Sequence, residues 1–249
     1  MKKALTKLGV GSVIALGLAI NPLTGVQAVF AASDASNFEG INIQAGVGYQ
    51  GTSAKVDSIT NNGVGGLNIN GASLGQANGS SVAATLGLGY TKALGDSFTL
   101  GIEAEYNGVP SQTGSADFKD STGSALVTNA NKFTLSNQMS VSLIPGFAVS
   151  PDTLIYAKVG YAMATLKSND QSTAAIFGSS NLNGILLGLG AKMNFSKNIY
   201  GFAEANAVQY GSASTSGNLN RTNPVSVIPV SGSAKVNSYN GLVGVGYRF

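Results

Sequence analysis

Six charged side chains sit at alternating positions inside otherwise apolar or small-residue segments: Glu103, Glu105, Lys158, Lys192, Glu204 and Arg248. Glu103 and Glu105 are two residues apart, so on a strand they project from one face. A carboxylate pair can divide general-acid and general-base roles. Same-face acids are also the ordinary partners of an enclosed basic residue, and Lys158, Lys192 and Arg248 supply such residues. The rest of the catalytic repertoire is missing from the sequence. It contains no His and no Cys, which excludes Ser-His and Cys-His nucleophilic sites, disulfides and thiolate chemistry and makes a zinc site improbable. Gly46, Gly48 and Gly51 match G-x-G-x-x-G literally, but a dinucleotide site needs that motif at a strand-to-helix turn. Here it lies inside an alternating strand. Asp117-Phe118-Lys119-Asp120 has two acids divided by a lysine, which does not make a calcium loop. No catalytic residue, cofactor site or metal site is expected, and the six charges are expected to pair with one another.

Their positioning elements are period-two segments. At the end of the chain Tyr239, Val243, Val245, Tyr247 and Phe249 share one parity, while Asn240, Gly244, Gly246 and Arg248 share the other. One face is greasy and the other small or polar. The same alternation marks eight strands, at about 38–56, 80–90, 98–108, 132–149, 154–167, 182–195, 199–211 and 233–249. In the fourth, Phe133, Leu135, Met139, Val141, Leu143 and Phe147 are read as one face. Pro145-Gly146 suggests a bulge near one rim. In the seventh, Tyr200, Phe202, Glu204 and Val208 mix greasy and charged residues on one parity, which suggests a bulge or register change. Connections alternate between short turns (91–97, 150–153, 196–198) and long Gly-, Ser- and Asn-rich stretches (57–79, 109–131, 168–181, 212–232). Aromatics gather near strand ends: Tyr90, Phe98, Phe147, Phe195, Tyr200 and Phe249 on the short-turn side, and Tyr106, Phe133, Tyr210 and Tyr239 on the other. Greasy-out, polar-in strands with unequal connections and two aromatic girdles describe an eight-stranded antiparallel transmembrane β-barrel of the bacterial outer membrane. In that setting Lys or Arg facing mid-bilayer lipid costs about 2–4 kcal/mol, so the six charges belong inside.

The first 31 residues read as a cleaved export signal. Lys2, Lys3 and Lys7 precede an uncharged apolar stretch from Leu8 to Ile20, and Ala28, Ala31 and Ala32 offer small residues for cleavage. Residues 32–249 form the barrel. Removing those three lysines from the 14 basic residues leaves 11, which equals the number of acids. A neutral mature chain has no basic footprint for nucleic acid.

Four stretches carry a family resemblance: Phe38-Glu39-Gly40, Leu143-Ile144-Pro145-Gly146-Phe147, Leu154-Ile155-Tyr156-Ala157-Lys158-Val159-Gly160-Tyr161, and Tyr247-Arg248-Phe249. Over residues 38–249 the chain resembles the small outer-membrane β-barrel family, the porin-type group that includes opacity-type proteins and the membrane domain of outer membrane protein A. The resemblance implies that Val243, Val245, Tyr247 and Phe249 act as an assembly signal, with outer-membrane lipids and the assembly machinery as partners. Enzymes of this membrane, such as lipid A palmitoyltransferase and omptin proteases, resemble one another in using a catalytic His, which has no counterpart here. The expected role is structural or surface interaction through the long connections, with an extracellular partner. A narrow porin-like channel for ions or small solutes is the alternative, and a soluble exported β-sandwich is a third reading.

If the last strand is the assembly signal, deleting Phe249, or replacing both Val243 and Val245 with Asp, will leave unfolded protein in the periplasm. Membrane yield and heat-modifiable gel migration measure this. Wild-type behaviour in both variants refutes the assignment.

Overall fold

The computed structural model describes residues 34–61, 72–119, 125–170, 176–177, 179–222 and 225–249; the expected signal, residues 1–31, lies outside them. A 3-10 turn, Ala35–Phe38, leads into β1 (Gly40–Asn61), β2 (Ala72–Ala93), β3 (Phe98–Asn107), β4 (Ser111–Gln112), β5 (Ala116–Lys119), β6 (Ala125–Ser150), β7 (Thr153–Asp170), β8 (Ile176–Phe177), β9 (Ser180–Asn194), β10 (Ile199–Tyr210), β11 (Ala213–Thr222) and β12 (Val225–Arg248). Strands β1, β2, β3, β6, β7, β9, β10 and β12 pair antiparallel in that order, and β12 returns to pair with β1. The result is a closed eight-stranded barrel. Closure matters because lipid offers nothing for an open strand edge to bond. The short strands β4, β5, β8 and β11 extend the wall on the long-connection side.

The strands run further than the composition indicates. β1 continues to Asn61, β2 begins at Ala72, β6 at Ala125 and β12 at Val225. Much of what reads as long loop is therefore hairpin. A Ser- and Asn-rich segment has weak strand propensity, but a ladder already in register extends through it while its outward side chains meet water.

Through the middle of the wall the expected parity holds. Ile43, Val47, Leu86, Val141 and Leu189 face outward, Leu189 at 69% exposure, while Asn42, Gln44, Thr85 and Ser142 face the lumen. An apolar belt this extensive on an outer surface suits a lipid environment. Beyond the belt, toward the long hairpins, the pattern inverts. Val56, Ile59, Leu135, Leu182 and Val236 now point inward and form one apolar cluster, while Ser53, Lys55 and Gln76 point outward. The projecting end is thus built like a water-soluble barrel with a hydrophobic core.

Three sequence expectations need correction. Phe133 and Leu135 do not share a face with Met139 and Val141: both are buried inside. Asn137 adopts φ 50°, and the β6–β7 register shifts between Ser136 and Met139. One inserted residue reverses every side chain beyond it, and Asn tolerates the left-handed conformation such a bulge needs. At Pro145 the ladder with β3 is unbroken, Leu100 opposite Pro145. Pairing with β7 lapses only between Leu143 and Gly146, without a register shift, and the rim irregularity lies instead at Ala148–Ser150. The missing proline N–H is absorbed by that two-residue lapse. In β10 no register change occurs between Tyr200 and Gln209. Tyr200, Phe202, Glu204 and Val208 all face the lumen, so the mixture reflects a mixed interior.

The girdles are revised accordingly. Tyr90, Phe98, Phe195, Tyr247 and Phe249 project outward at the short-turn end, and Tyr49, Tyr106, Tyr161 and Tyr239 at the other. Phe98 meets Phe147, and Tyr247 meets Phe249, in edge-to-face pairs with centroids 5.1 and 5.0 Å apart. Tyr200, Phe133 and Tyr210 are lumenal instead.

The 3-10 turn closes the short-turn mouth. Asp34 caps it through Ser36 N–H. Ala35 N–H donates to Asp96 O at 2.9 Å and Asn37 Nδ2 donates to Pro151 O at 3.1 Å. Phe38 is thereby seated with Ile144, Leu154 and Tyr156 in a small apolar cluster. Just above it, Lys92 Nζ reaches Glu39 Oε1 at 2.6 Å and Ala93 N–H donates to Oε2 at 3.1 Å. These bonds hold the Glu39 carboxyl below its ordinary range.

Lumenal rings need bare backbone opposite them. Tyr200 lies across from Gly246, and a Cβ there would collide with the ring. Tyr156 stands in the same relation to Gly190. Replacing Gly246 with Val will therefore overpack the lumen and lower stability by about 1–3 kcal/mol. Urea unfolding in detergent reads the loss, and an unchanged midpoint contradicts the packing.

Candidate functional site

The six charges come from five strands: Glu103 and Glu105 from β3, Lys158 from β7, Lys192 from β9, Glu204 from β10 and Arg248 from β12. All face the lumen, with Lys158 at 1% exposure. Lys158 lies at the centre. Its Nζ donates to Glu103 Oε1 at 2.9 Å, Glu204 Oε2 at 3.0 Å and Glu105 Oε2 at 3.3 Å. An ammonium has three protons and each finds a carboxylate. Small neighbours make this reach possible. On β9, Gly188 is opposite Lys158 and Gly190 opposite Glu204, so no side chain stands between β7 and β10. On the other side the β6 residues opposite Glu105 and Glu103 are the small Ser140 and Ser142.

The carboxylates have further partners. Tyr156 O–H donates to Glu204 Oε1 at 2.6 Å, and Asn206 Nδ2 donates to Oε2 at 3.2 Å. Glu103 Oε2 accepts no hydrogen bond and faces Lys192 Nζ at 3.9 Å. Lys192 lies 5.3 Å from the Tyr156 ring centroid and 5.1 Å from that of Tyr200, within cation–π range. Arg248 stands apart from this network at the base. Its Nη2 donates to Asn194 Oδ1 at 3.1 Å and Lys197 O at 3.2 Å, and its Cζ is 5.8 Å from the Phe38 ring centroid. The structure thus joins Glu103, Glu105, Lys158, Lys192 and Glu204 through charge contacts, and Arg248 adjoins the set only through the Tyr200 ring, whose centroid lies 6.0 Å from its Cζ.

Sequence reasoning missed the aromatic and amide members. Tyr156 shares parity with Lys158, and Tyr200 and Asn206 share it with Glu204, so the signal was present. Tyr200 reads from sequence as a girdle residue, and Tyr156 and Asn206 carry no charge to single them out. Above the charges is a second polar layer. Gln50 Nε2 donates to Gln138 Oε1 at 2.7 Å and Ser238 Oγ at 3.0 Å, and Asn107 Nδ2 donates to Gln50 Oε1 at 2.7 Å. This layer joins four strands far apart in sequence, which alternation alone does not pair.

Chemically, the arrangement braces the wall. An ammonium fills the space among three carboxylates that a cation would take, and its three protons are bound, so it is set up neither as a nucleophile nor as a base. Gly46, Gly48 and Gly51 all lie within β1 and adjoin no helix, so the dinucleotide match has no structural counterpart. The expected assembly residues Val243, Val245, Tyr247 and Phe249 point outward, Phe249 at 70% exposure, and Phe249 N–H donates to Ile41 O at 2.9 Å.

Removing one member of a buried charge set leaves the others uncompensated. Lys158→Met alone will cost about 3–5 kcal/mol, read from urea midpoints. Adding Glu103→Gln, Glu105→Gln and Glu204→Gln will restore most of the loss. A single variant as stable as wild type contradicts the bracing role.

Comparison with known proteins follows the same lines. The family described as outer membrane protein beta-barrel domain matches residues 22–249. No curated protein matches the sequence. Among solved structures, the outer membrane protein OprG from Pseudomonas aeruginosa aligns with TM-score 0.56 and 13% identity, covering 88% of this chain and 99% of that one. The attachment invasion locus protein Ail of Yersinia pestis aligns with TM-score 0.38 and 16% identity over 85% and 99%. The outer membrane protease OmpT from Escherichia coli aligns with TM-score 0.49 and 10% identity over 84% and 97%. At these identities the OprG likeness speaks for the fold alone. With its closed wall, apolar belt and polar lumen, the chain belongs to the outer membrane protein beta-barrel domain family and is an integral protein of the bacterial outer membrane.

Proposed function

We propose that the protein is a closed, non-enzymatic barrel that mounts its projecting hairpins as a recognition surface for an extracellular partner. The observation that carries this reading is the filling of the lumen at successive heights. Phe38 sits in the short-turn mouth, the Lys158 network occupies the middle, the Gln50 layer lies above it, and an apolar cluster occupies the projecting end. A permeant ion would meet a corked base, paired charges and then a dry layer. Small eight-stranded barrels are filled by side chains in this way. The absence of His and Cys from the sequence and the fully bound Lys158 support a role without catalysis. What then varies usefully is the outer end, where β1–β2, β5–β6, β7–β9 and β11–β12 rise above the belt. Residues 225–230, a greasy stretch in sequence, lie within β12 there. Connections on a rigid scaffold are well placed for binding. The lipid belt and the outward-facing last strand support lipids and the assembly machinery as the other partners.

Planar-bilayer recording and a binding assay separate this reading from the channel. Purified protein will give no steady conductance. Trimming within residues 57–79 or 212–232 will abolish cell or matrix adhesion while heat-modifiable migration persists. Stable, ion-selective currents that survive trimming and disappear in Glu103→Gln or Lys158→Met would establish the channel instead.

A further inference from the structure

On the projecting side the outer wall carries a groove of about 650 Å³. Lys55 and Lys235 line it, together with Asn183, Gln209 and Asn237. Tyr161 and Ile185, both outward-facing in the lipid belt, also line it, so the groove is continuous with the membrane-facing wall. Among the described residues no acidic side chain lines it.

The fold makes this groove at a break in the wall. The β9–β10 ladder ends with Gly184 opposite Tyr210. One further bond, Gly211 N–H to Asn183 O at 2.7 Å, follows, and among the described residues pairing resumes between β8 and β11 at Phe177 and Gly217. Across β1 and β12, by contrast, the register is intact and sets Lys55 directly opposite Lys235. Two ammonium groups are thus carried by adjacent backbones on the outer face. Lys235 stands four residues beyond Tyr239 of the aromatic girdle. At about 3.3 Å per residue and a tilt near 40°, it lies roughly 10 Å above that girdle, at headgroup height. Both lysines already have interaction partners, so a ligand phosphate would join or exchange with those contacts.

We propose that this groove seats the phosphorylated sugar headgroup of an outer-leaflet glycolipid. Lys55 and Lys235 meet its phosphate, the amides of Asn183, Gln209 and Asn237 meet sugar hydroxyls, and the acyl chains descend past Tyr161 and Ile185. Lysines serve phosphate as compact point charges, and basic pockets at headgroup height are a recurrent form of lipid recognition. A lipid is favoured over a soluble ligand because one edge of the groove is the lipid-facing wall itself.

Native mass spectrometry of the protein purified from outer membranes in detergent tests this. The probes are a diphosphorylated glucosamine-disaccharide lipid, its dephosphorylated counterpart with identical acyl chains, and soluble glucosamine 1-phosphate. The diphosphorylated lipid will bind at least ten-fold more tightly than the dephosphorylated one. The double variant Lys55→Gln, Lys235→Gln will lose that margin, whereas Lys55→Arg, Lys235→Arg will keep it. Lys167→Gln, an exposed lysine of β7 outside the groove, will also keep it. Equal binding of the two lipids by the wild-type protein overturns the proposal whatever the variants do, as does undiminished binding by the folded Gln variant. Competition by glucosamine 1-phosphate as effective as the lipid itself overturns the lipid assignment.

Discussion

The pairing of β12 with β1 is the constraint on which the rest depends. Within hydrocarbon an unpaired backbone group has no water to turn to, so the sheet must close before any side chain can matter. Closure sets Asn42 opposite Arg248 at one end and Lys55 opposite Lys235 toward the other. It also defines an inside, and every buried charge in this protein depends on there being one. Lys158 is tolerable at the centre of a 25 kDa chain only because β3 and β10 are brought round to deliver carboxylates to it.

The interior is not uniform, and its layering follows the surroundings. Where lipid lies outside, the outward side chains are apolar and the lumen takes the polar ones, which must then satisfy one another. Lys158, Tyr156 and Glu204 do so at hydrogen-bond distance. Where headgroups and water lie outside, the assignment is exchanged: Lys55 and Gln76 turn outward and Val56, Leu135 and Leu182 turn in. The hydrophobic effect thus acts in opposite directions on the two segments of one continuous strand. In β1 the inversion as far as Val56 needs no change of parity, because the residue types themselves exchange, and a register shift between Val56 and Ile59 then brings Ile59 inward as well. In β6 the bulge at Asn137 reverses the parity. The two solutions reach the same core from neighbouring parts of the barrel.

Lumen packing depends on glycine as much as on charge. Gly188 and Gly190 clear the path from Lys158 to Glu204, and Gly190 and Gly246 receive the rings of Tyr156 and Tyr200. Those rings in turn hold Lys192. A chain with 34 glycines would be a poor candidate for a stiff soluble sheet. Here the glycines are what lets large polar and aromatic side chains share a narrow interior.

Alternation within each strand was legible directly, because a strand's two faces depend only on the parity of its own residues. The strand number, the outward face of Val243, Val245, Tyr247 and Phe249, and the inward face of Glu103, Glu105, Lys158, Lys192, Glu204 and Arg248 could all be read this way. The absence of His and Cys likewise limits the chemistry from composition alone. Which inward residues meet could not be read, since that depends on register and stagger between strands that are distant in sequence. Only the folded barrel sets Arg248 at the edge of the Lys158 network, against the Tyr200 ring, brings Gln50 to Gln138 and Ser238, and turns Phe133 inward through a single left-handed residue at Asn137. Local alternation is written in consecutive residues, whereas contact across a lumen is decided by how the strands close around it.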